Sequence, residues 1–286
     1  MSIGHPAGAA PGSSPLRRVL LAGGGSAGHV SPLLATADEL VRRHPEIEIA
    51  ALGTTSGLEA RLVPARGYPL HVVPRVPLPR KPNAAALRFP GALGSAVAAA
   101  DRAIRETGAQ VVVGFGGYVS SPAYLAARRH GIPIVVHEQN TTPGFANRLG
   151  ARLTSHVATT FPSTRLPHAH CIGMPLRPEI AGLDREAMRA GARADFGLDL
   201  DRPTVLVTGG SLGAQRLNQT FAARAAALSA AGIQVLHASG AGKAFTPERP
   251  AATGAPYVVV DYVDHMELAY AAADLVVCRA GANTVC

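Results

Sequence analysis

Short apolar runs rich in Val, Ile and Leu recur along this chain and alternate with stretches in which apolar residues repeat at helical spacing. The runs predict strands over 18–22, 47–52, 70–74, 110–114, 132–136 and 155–159. Between them, helices are predicted near 33–43, 57–63, 92–106, 122–130 and 144–152. Strands that are apolar throughout and separated by helices form a parallel sheet covered on both faces, so the fold class is α/β with a doubly wound sheet. Gly173-Met174-Pro175-Leu176-Arg177-Pro178 interrupts this rhythm with two prolines and reads as a linker. A second set follows: helix 184–195, strand 204–208, helix 214–230, strands 233–237 and 257–260, helix 265–272 and strand 274–278. The chain thus divides into a disordered tail, 1–15, a first domain over 16–177 and a second over 178–286. By the same rhythm a helix should begin after Thr284, so a second domain stopping at Cys286 is expected to be truncated.

Two glycine-rich turns sit at equivalent places in the two halves. Val19-Leu20-Leu21-Ala22 leads into Gly23-Gly24-Gly25-Ser26-Ala27-Gly28-His29, and Val205-Leu206-Val207-Thr208 leads into Gly209-Gly210-Ser211-Leu212-Gly213-Ala214. Each is a buried strand delivering its end to a helix N-terminus, where unpaired N–H groups and the positive end of the helix dipole favour a phosphate. Glycine keeps the turn tight and lets an anion approach the backbone. A pair of such turns suggests two nucleotide-binding-type domains facing a shared cleft.

Composition supports this picture. With 47% hydrophobic and 16% charged residues in 286, the chain can build two ordinary cores. Its three cysteines, Cys171, Cys278 and Cys286, have no C-x-x-C spacing and fit a reducing compartment. No segment approaches the roughly 18 consecutive apolar residues of a spanning helix, so a soluble or peripheral protein is expected. Net charge is +8, and all basic residues except Lys81 and Lys243 are arginine. No acidic residue lies between Glu59 and Asp101, whereas Arg61, Arg66, Arg75, Arg80, Lys81 and Arg88 do, interleaved with Leu70, Val72, Val73, Val76, Leu78, Leu87, Phe89 and Leu93. This stretch suits an anionic membrane surface, or else is a solvated basic face over core residues. Few aromatics are present to stack on bases, so no nucleic-acid partner is expected.

Several motifs carry candidate chemistry. Gly23, Gly25 and Gly28 match G-x-G-x-x-G, but strand 47–52 ends in Leu52-Gly53-Thr54-Thr55 without the acid that a dinucleotide ribose requires. His29 follows the first turn and titrates in the range a general base needs, although it could equally cap the helix. His137-Glu138-Gln139-Asn140 places four polar side chains at a strand's carboxyl end, where open α/β sheets bind ligands. Thr141 stands where a zinc H-E-x-x-H would need its second histidine, and His168 and His170 lack a third ligand. Gly114-Phe115-Gly116-Gly117-Tyr118-Val119-Ser120-Ser121-Pro122 offers further N–H donors for an anion, or simply a helix start with Ser121 as N-cap and Pro122 at the first helical position. Ser211, with the amides of Leu212 and Gly213, can surround a diphosphate, and Arg177 could reach the same charge. Transfer from a sugar nucleotide needs such donors, because the leaving diphosphate gains negative charge.

Taken together, GGGSAGHVSP (23–32), GFGGYVSSP (114–122), HEQN (137–140), GGSLGAQRLNQ (209–219) and VVCRAGANTV (276–285) resemble the MurG family of N-acetylglucosaminyltransferases. The resemblance runs from about Arg18 to the last residue. It implies two Rossmann-like domains of glycosyltransferase-B type. It also implies an inverting enzyme, independent of metal or other cofactor, bound peripherally to the cytoplasmic side of the cell membrane. The donor would be UDP-N-acetylglucosamine and the acceptor the C4 hydroxyl of the muramoyl-pentapeptide of lipid I, giving lipid II for peptidoglycan synthesis. Carried over by position, His29 is the candidate base. Ser26, Ala27, Gly28, Asn140, Arg177, Ser211, Val263, Ala282, Asn283, Thr284, Val285 and Cys286 fall at the donor, with Ser211 against the diphosphate and the Val263 backbone against uracil. Gly24, Gly25, Gly116, Gly117 and Tyr118 fall at the acceptor diphosphate. Ala27, Leu212 and Met174 depart from the residues usual in the family. The family's ribose-binding acid, its donor-sugar glutamine and its final crossing helix would follow Cys286. Two alternatives remain at this point: an inactive fragment with residual nucleotide or membrane binding, and an enzyme resembling the UDP-N-acetylglucosamine 2-epimerases.

Overall fold

The computed structural model describes residues 15–76, 84–247 and 254–286. The predicted tail, save Pro15, lies outside the described residues, as do Leu78, Arg80 and Lys81 and the side chain of Leu87. The first group of elements is β1 (Arg18–Ala22), α1 (Ala27–Arg43), β2 (Glu48–Gly53), α2 (Glu59–Ala65), β3 (Leu70–Val72), α3 (Ala84–Thr107), β4 (Val111–Gly114), α4 (Ser120–His130), β5 (Ile134–Glu138), α5 (Phe145–Gly150), β6 (His156–Thr159) and β7 (Ala169–Cys171). The second is α6 (Pro178–Ala181), α7 (Arg185–Asp195), β8 (Thr204–Thr208), α8 (Gln215–Ala222), α9 (Ala225–Ala230), β9 (Gln234–Ala238), β10 (Tyr257–Val260), α10 (Met266–Ala272), β11 (Leu275–Cys278) and α11 (Ala282–Val285).

All pairings are parallel. The first sheet has the order β3-β2-β1-β4-β5-β6-β7 and the second β10-β9-β8-β11. The strand order reverses between β1 and β4 in one sheet and between β8 and β11 in the other. Ligands of open α/β sheets bind outside the strand carboxyl ends at such reversals. Successive strand residues face opposite sides, so Leu20 and Ala22 pack beneath α3 and α4 with Ala100, Ala103, Ala123 and Ala127, while Val19 and Leu21 pack beneath α1 with Val30, Leu33 and Ala37. A third cluster around Leu206, Leu236, Ala269 and Ala272 forms the second domain's core.

The structure corrects several local expectations. Helix 214–230 is two helices, broken at Arg224, whose φ of −113° and ψ of 1° leave the helical region. The segment holding His170, expected as a loop, is edge strand β7, paired to β6 through Ala158↔His170. Helix α4 starts at Ser120 with Val119 at its N-cap, so Ser121 is not the cap and Pro122 is the third helical residue. Proline is accepted there because the first-turn N–H groups have no helical partner to lose.

The second domain is pinned by one carboxylate. Asp274 accepts from the Thr204 N–H at 2.8 Å and from Arg189 Nη2 and Arg193 Nη2 at 2.8 Å each, and the Arg193 side chain is fully buried. Burial works to raise the Asp274 pKa, but the Thr204 amide and the Arg193 and Arg189 guanidiniums outweigh it and hold the carboxyl below its usual range. A depressed carboxyl stabilises the fold above the unfolded pKa of about 3.9, and that contribution is lost as pH falls through the folded value. Asp274→Ala leaves the Arg193 charge buried without a counter-ion. It is expected to cost about 3 kcal/mol, read as a lower urea midpoint at unchanged slope.

Candidate active site

The β1–α1 turn is built around His29. Ser26, at the N-cap of α1, uses its extended backbone (φ −146°) to aim its carbonyl at the His29 N–H, 3.1 Å away. The His29 ring turns back over the turn, and Nδ1 lies 3.1 Å from the Gly24 carbonyl oxygen and 3.1 Å from Ser26 Oγ. A carbonyl only accepts, so Nδ1 carries the proton and Nε2 is the basic nitrogen. Nε2 faces the β4–α4 turn: a Cβ on Gly116 would lie 3.1 Å from it. Burial lowers the His29 pKa, opposed by the nearby Glu138 charge, the Gly24 carbonyl and the Glu59 charge. The imidazole is therefore neutral at pH 7, the form a base must have.

The two glycine turns of the first domain are packed on each other. Gly117, at φ +79°, approaches the Gly24 carbonyl so closely that a Cβ there would lie 2.5 Å from it. Their amides are less available to an anion than the sequence suggested. The Gly116 N–H donates to Ser120 Oγ at 2.9 Å, and the Gly25 N–H donates to Glu59 Oε2 at 2.8 Å. Gly25 and Gly116 thus spend their amides inside the protein, a correction to their reading as acceptor-diphosphate donors. Tyr118 remains 40% exposed, with the Arg75 guanidinium 5.3 Å above its ring.

The His137–Asn140 motif is also mostly internal. His137, Glu138 and Gln139 are buried, and only Asn140 is exposed. Glu138 accepts four N–H bonds, from the Asn140 backbone (2.9 Å), Asn140 Nδ2 (3.0 Å), Gly144 N–H (2.9 Å) and Asn147 Nδ2 (3.0 Å). It pins the loop that carries Asn140. His137 Nε2 donates to the Gly173 carbonyl at 3.0 Å and so ties β5 to the linker.

Between the carboxyl ends of the two sheets lies a cavity of about 520 Å³. Ala27, Arg177, Ser211, Val263, Asn283 and Thr284 line it; Ser26, Gly28, His29, Asn140, Ala282, Val285 and Cys286 do not. Ala27 and Ser31 face this cavity, and His29, two helical positions from each and so about 200° around the axis, faces the β1/β4 crevice instead. The expected site residues thus fall into two groups, a cavity group and a His29 group, separated by the first turn of α1. At the second glycine turn, the Gly213 N–H closes onto the Gly210 carbonyl at 2.8 Å and does not point outward, which corrects its expected part in binding a diphosphate. Val285 is 57% exposed and Cys286 is also exposed.

Tyr262, Asp264, His265 and Glu267, which none of the sequence motifs includes, complete the cavity. Glu267, buried on α10, holds Arg177 Nη2 at 3.4 Å and His265 Nδ1 at 2.9 Å. Across the cleft, Asn283 Nδ2 donates to the Ala27 carbonyl at 3.0 Å. Arg61 Nη1 pairs with Asp264 at 3.0 Å while its guanidinium lies 5.2 Å above the Tyr262 ring. Arg61 and Arg66, which pairs with Asp38, are therefore not free basic groups. Nothing in local sequence pattern marks these partners, because Arg61 and Asp264 stand 203 positions apart.

Residues 19–159 match the model of the glycosyltransferase family 28 N-terminal domain, and residues 204–286 match that of the family 28 C-terminal domain. The chain is 61% identical over 269 residues to a UDP-N-acetylglucosamine--N-acetylmuramyl-(pentapeptide) pyrophosphoryl-undecaprenol N-acetylglucosamine transferase of Nocardioides sp., covering 94% of this chain and 74% of that one. It is 58% identical over 268 residues to the protein of the same name from Leifsonia xyli, covering 93% and 74%. Among solved structures, Acinetobacter baumannii MurG superposes with a TM-score of 0.65 at 30% identity, over 94% of this chain and 74% of that one. A UDP-GlcNAc 2-epimerase from Neisseria meningitidis superposes at 0.61 with 10% identity, covering 92% and 78%, which is a likeness of fold alone.

Proposed function

The chain belongs to glycosyltransferase family 28, and we propose that it acts as its MurG relatives are named, moving N-acetylglucosamine from UDP-N-acetylglucosamine to the muramoyl-pentapeptide of lipid I to give lipid II. The observation that carries this reading is the cavity between the carboxyl ends of the two sheets, lined by Ala27 and Ser31 of the first domain and by Ser211, Val263 and Asn283 of the second, with His29 on the other side of the α1 N-terminus. One side suits a nucleotide and the other an alcohol.

In this reading the acceptor C4 hydroxyl attacks the anomeric carbon of the donor from the His29 side. The hydroxyl proton passes to His29 Nε2, the new C–O bond forms, and the bond from the anomeric carbon to the diphosphate oxygen breaks with inversion. UDP departs carrying the electron pair. Arg177 and the Ser211 hydroxyl, both at the cavity wall, are the groups placed to meet the charge that grows on the diphosphate. Val263 lies deeper in the cavity wall, 8% exposed, as the uracil contact. Asn140, held by Glu138 through its backbone N–H and Nδ2, is assigned to the donor sugar.

The acceptor's undecaprenyl chain lies in a bilayer, so the enzyme works at a membrane surface. Among the described residues no helix is long and apolar enough to cross one. We place the protein on the cytoplasmic side, where UDP-sugars are made, with exposed Arg88 and Val72 and half-buried Phe89 and Leu93 facing anionic lipid. No nucleic-acid role is proposed. The domain boundary is placed at 177/178, where Pro178 opens α6.

Incubating the chain with UDP-N-acetylglucosamine and a lipid I analogue should give a β-linked disaccharide lipid and one UDP per sugar transferred. Release of UDP and an epimerised sugar without acceptor would instead identify an epimerase. Formation of neither product would contradict transfer by this chain and support the alternative of an inactive fragment with residual nucleotide or membrane binding.

A further inference from the structure

We propose that Glu59 is a positioning residue for His29, an internal anion that occupies the first glycine turn and fixes the carbonyl on which the imidazole rests. Glu59 opens α2 and is fully buried, yet it has no cation within ion-pairing distance among the described residues. Its carboxylate is held by three donors instead: Oε2 accepts the Gly25 N–H at 2.8 Å, and Oε1 accepts the Thr54 N–H at 3.0 Å and Thr54 Oγ1 at 2.7 Å. The surrounding backbone leaves room for it. A Cβ on Gly24, Gly53 or Gly57 would lie 2.5, 2.5 or 2.0 Å from Glu59 side-chain atoms. Burial alone would raise the pKa of this carboxyl, but the Gly25 and Thr54 donors overcome that and hold it below the usual range, so it is ionised.

The coupling to His29 follows from peptide geometry. The Gly25 N–H and the Gly24 C=O belong to one planar trans peptide unit and point in opposite directions. Glu59 grips the N–H end, and His29 Nδ1 donates to the C=O end at 3.1 Å. Rotating that peptide would break both contacts together. Glu59 thus sets the tautomer that leaves Nε2 free, as partners of the far nitrogen do in other histidine sites. The charged groups acting on His29 are Glu59 from α2 and Glu138 from β5, both favouring the protonated ring against burial.

The inference rests on reading His29 as the base, but its test does not use turnover. In the full chain labelled with ¹⁵N-histidine, with the His29 signals assigned by loss in His29→Gln, the unsubstituted protein should show an Nδ1–H tautomer titrating below pH 6.5. An Nε2–H tautomer there overturns the proposal outright. Glu59→Gln removes the charge and sets an amide against the Gly25 N–H. It should give mixed tautomers and move the titration down by about half a unit or more. Glu59→Asp keeps the charge but withdraws it from Gly25, and it should mix the tautomers with a smaller change in midpoint. A folded variant of either kind with reduced stability but an unchanged His29 tautomer and midpoint makes Glu59 merely structural. Loss of UDP binding or of transfer would bear on the proposed function instead and leave this coupling intact.

Discussion

His29→Gln lowers the rate of sugar transfer by about 10²–10⁴-fold, the usual contribution of a positioned general base, and leaves affinity for UDP-N-acetylglucosamine nearly unchanged. The asymmetry follows from geometry. His29 faces Gly116 in the β1/β4 crevice, whereas the donor cavity is lined by its neighbours Ala27 and Ser31. The pH dependence carries a sign. Burial, the largest influence, depresses the His29 pKa, so the acid limb of kcat should lie below the unperturbed value of about 6.5. That limb should disappear in the glutamine variant. Steady-state rates from pH 5 to 8 check both statements. A variant that keeps the parent rate, or that loses donor affinity as much as rate, contradicts the assignment of His29.

Arg177→Ala should weaken UDP binding by roughly 10–150-fold while leaving uridine binding unchanged. One charge-assisted hydrogen bond to a diphosphate contributes about 1.5–3 kcal/mol, which is that range in the dissociation constant. Its removal also leaves the buried Glu267 carboxylate on the cavity wall without its guanidinium, which adds repulsion of an anion in the same direction. Arg177→Lys keeps the charge but not the planar fork and should fall between. Calorimetric titrations with UDP and with uridine separate the two terms. Equal losses for both ligands would mean that Arg177 supports the cavity's shape rather than the diphosphate.

The sheets were legible because their central strands are buried on both faces and so are largely apolar, as at Val19–Ala22 and at Leu206 and Val207. The two equivalent glycine turns were legible because they directly follow such strands. What local pattern could not carry was who fills those turns. Gly25 looked like a phosphate donor, and its partner is a carboxylate 34 positions later. His137–Asn140 looked like a ligand surface, but three of its side chains turn inward because Glu138 collects the N–H groups of its own loop. The break at Arg224 lies in an alanine-rich segment with no proline or glycine to mark it. Strand β7 has only three residues and a polar edge, so its periodicity is too short to read.

The proposed transfer requires that the interlobe cavity hold a uridine diphosphate sugar. Calorimetric titration of the chain with UDP-N-acetylglucosamine tests this most directly. Binding at one site per chain, competed by UDP and abolished or sharply weakened by Arg177→Ala, is the expected result. A correctly folded chain that takes up neither UDP nor UDP-N-acetylglucosamine would contradict it.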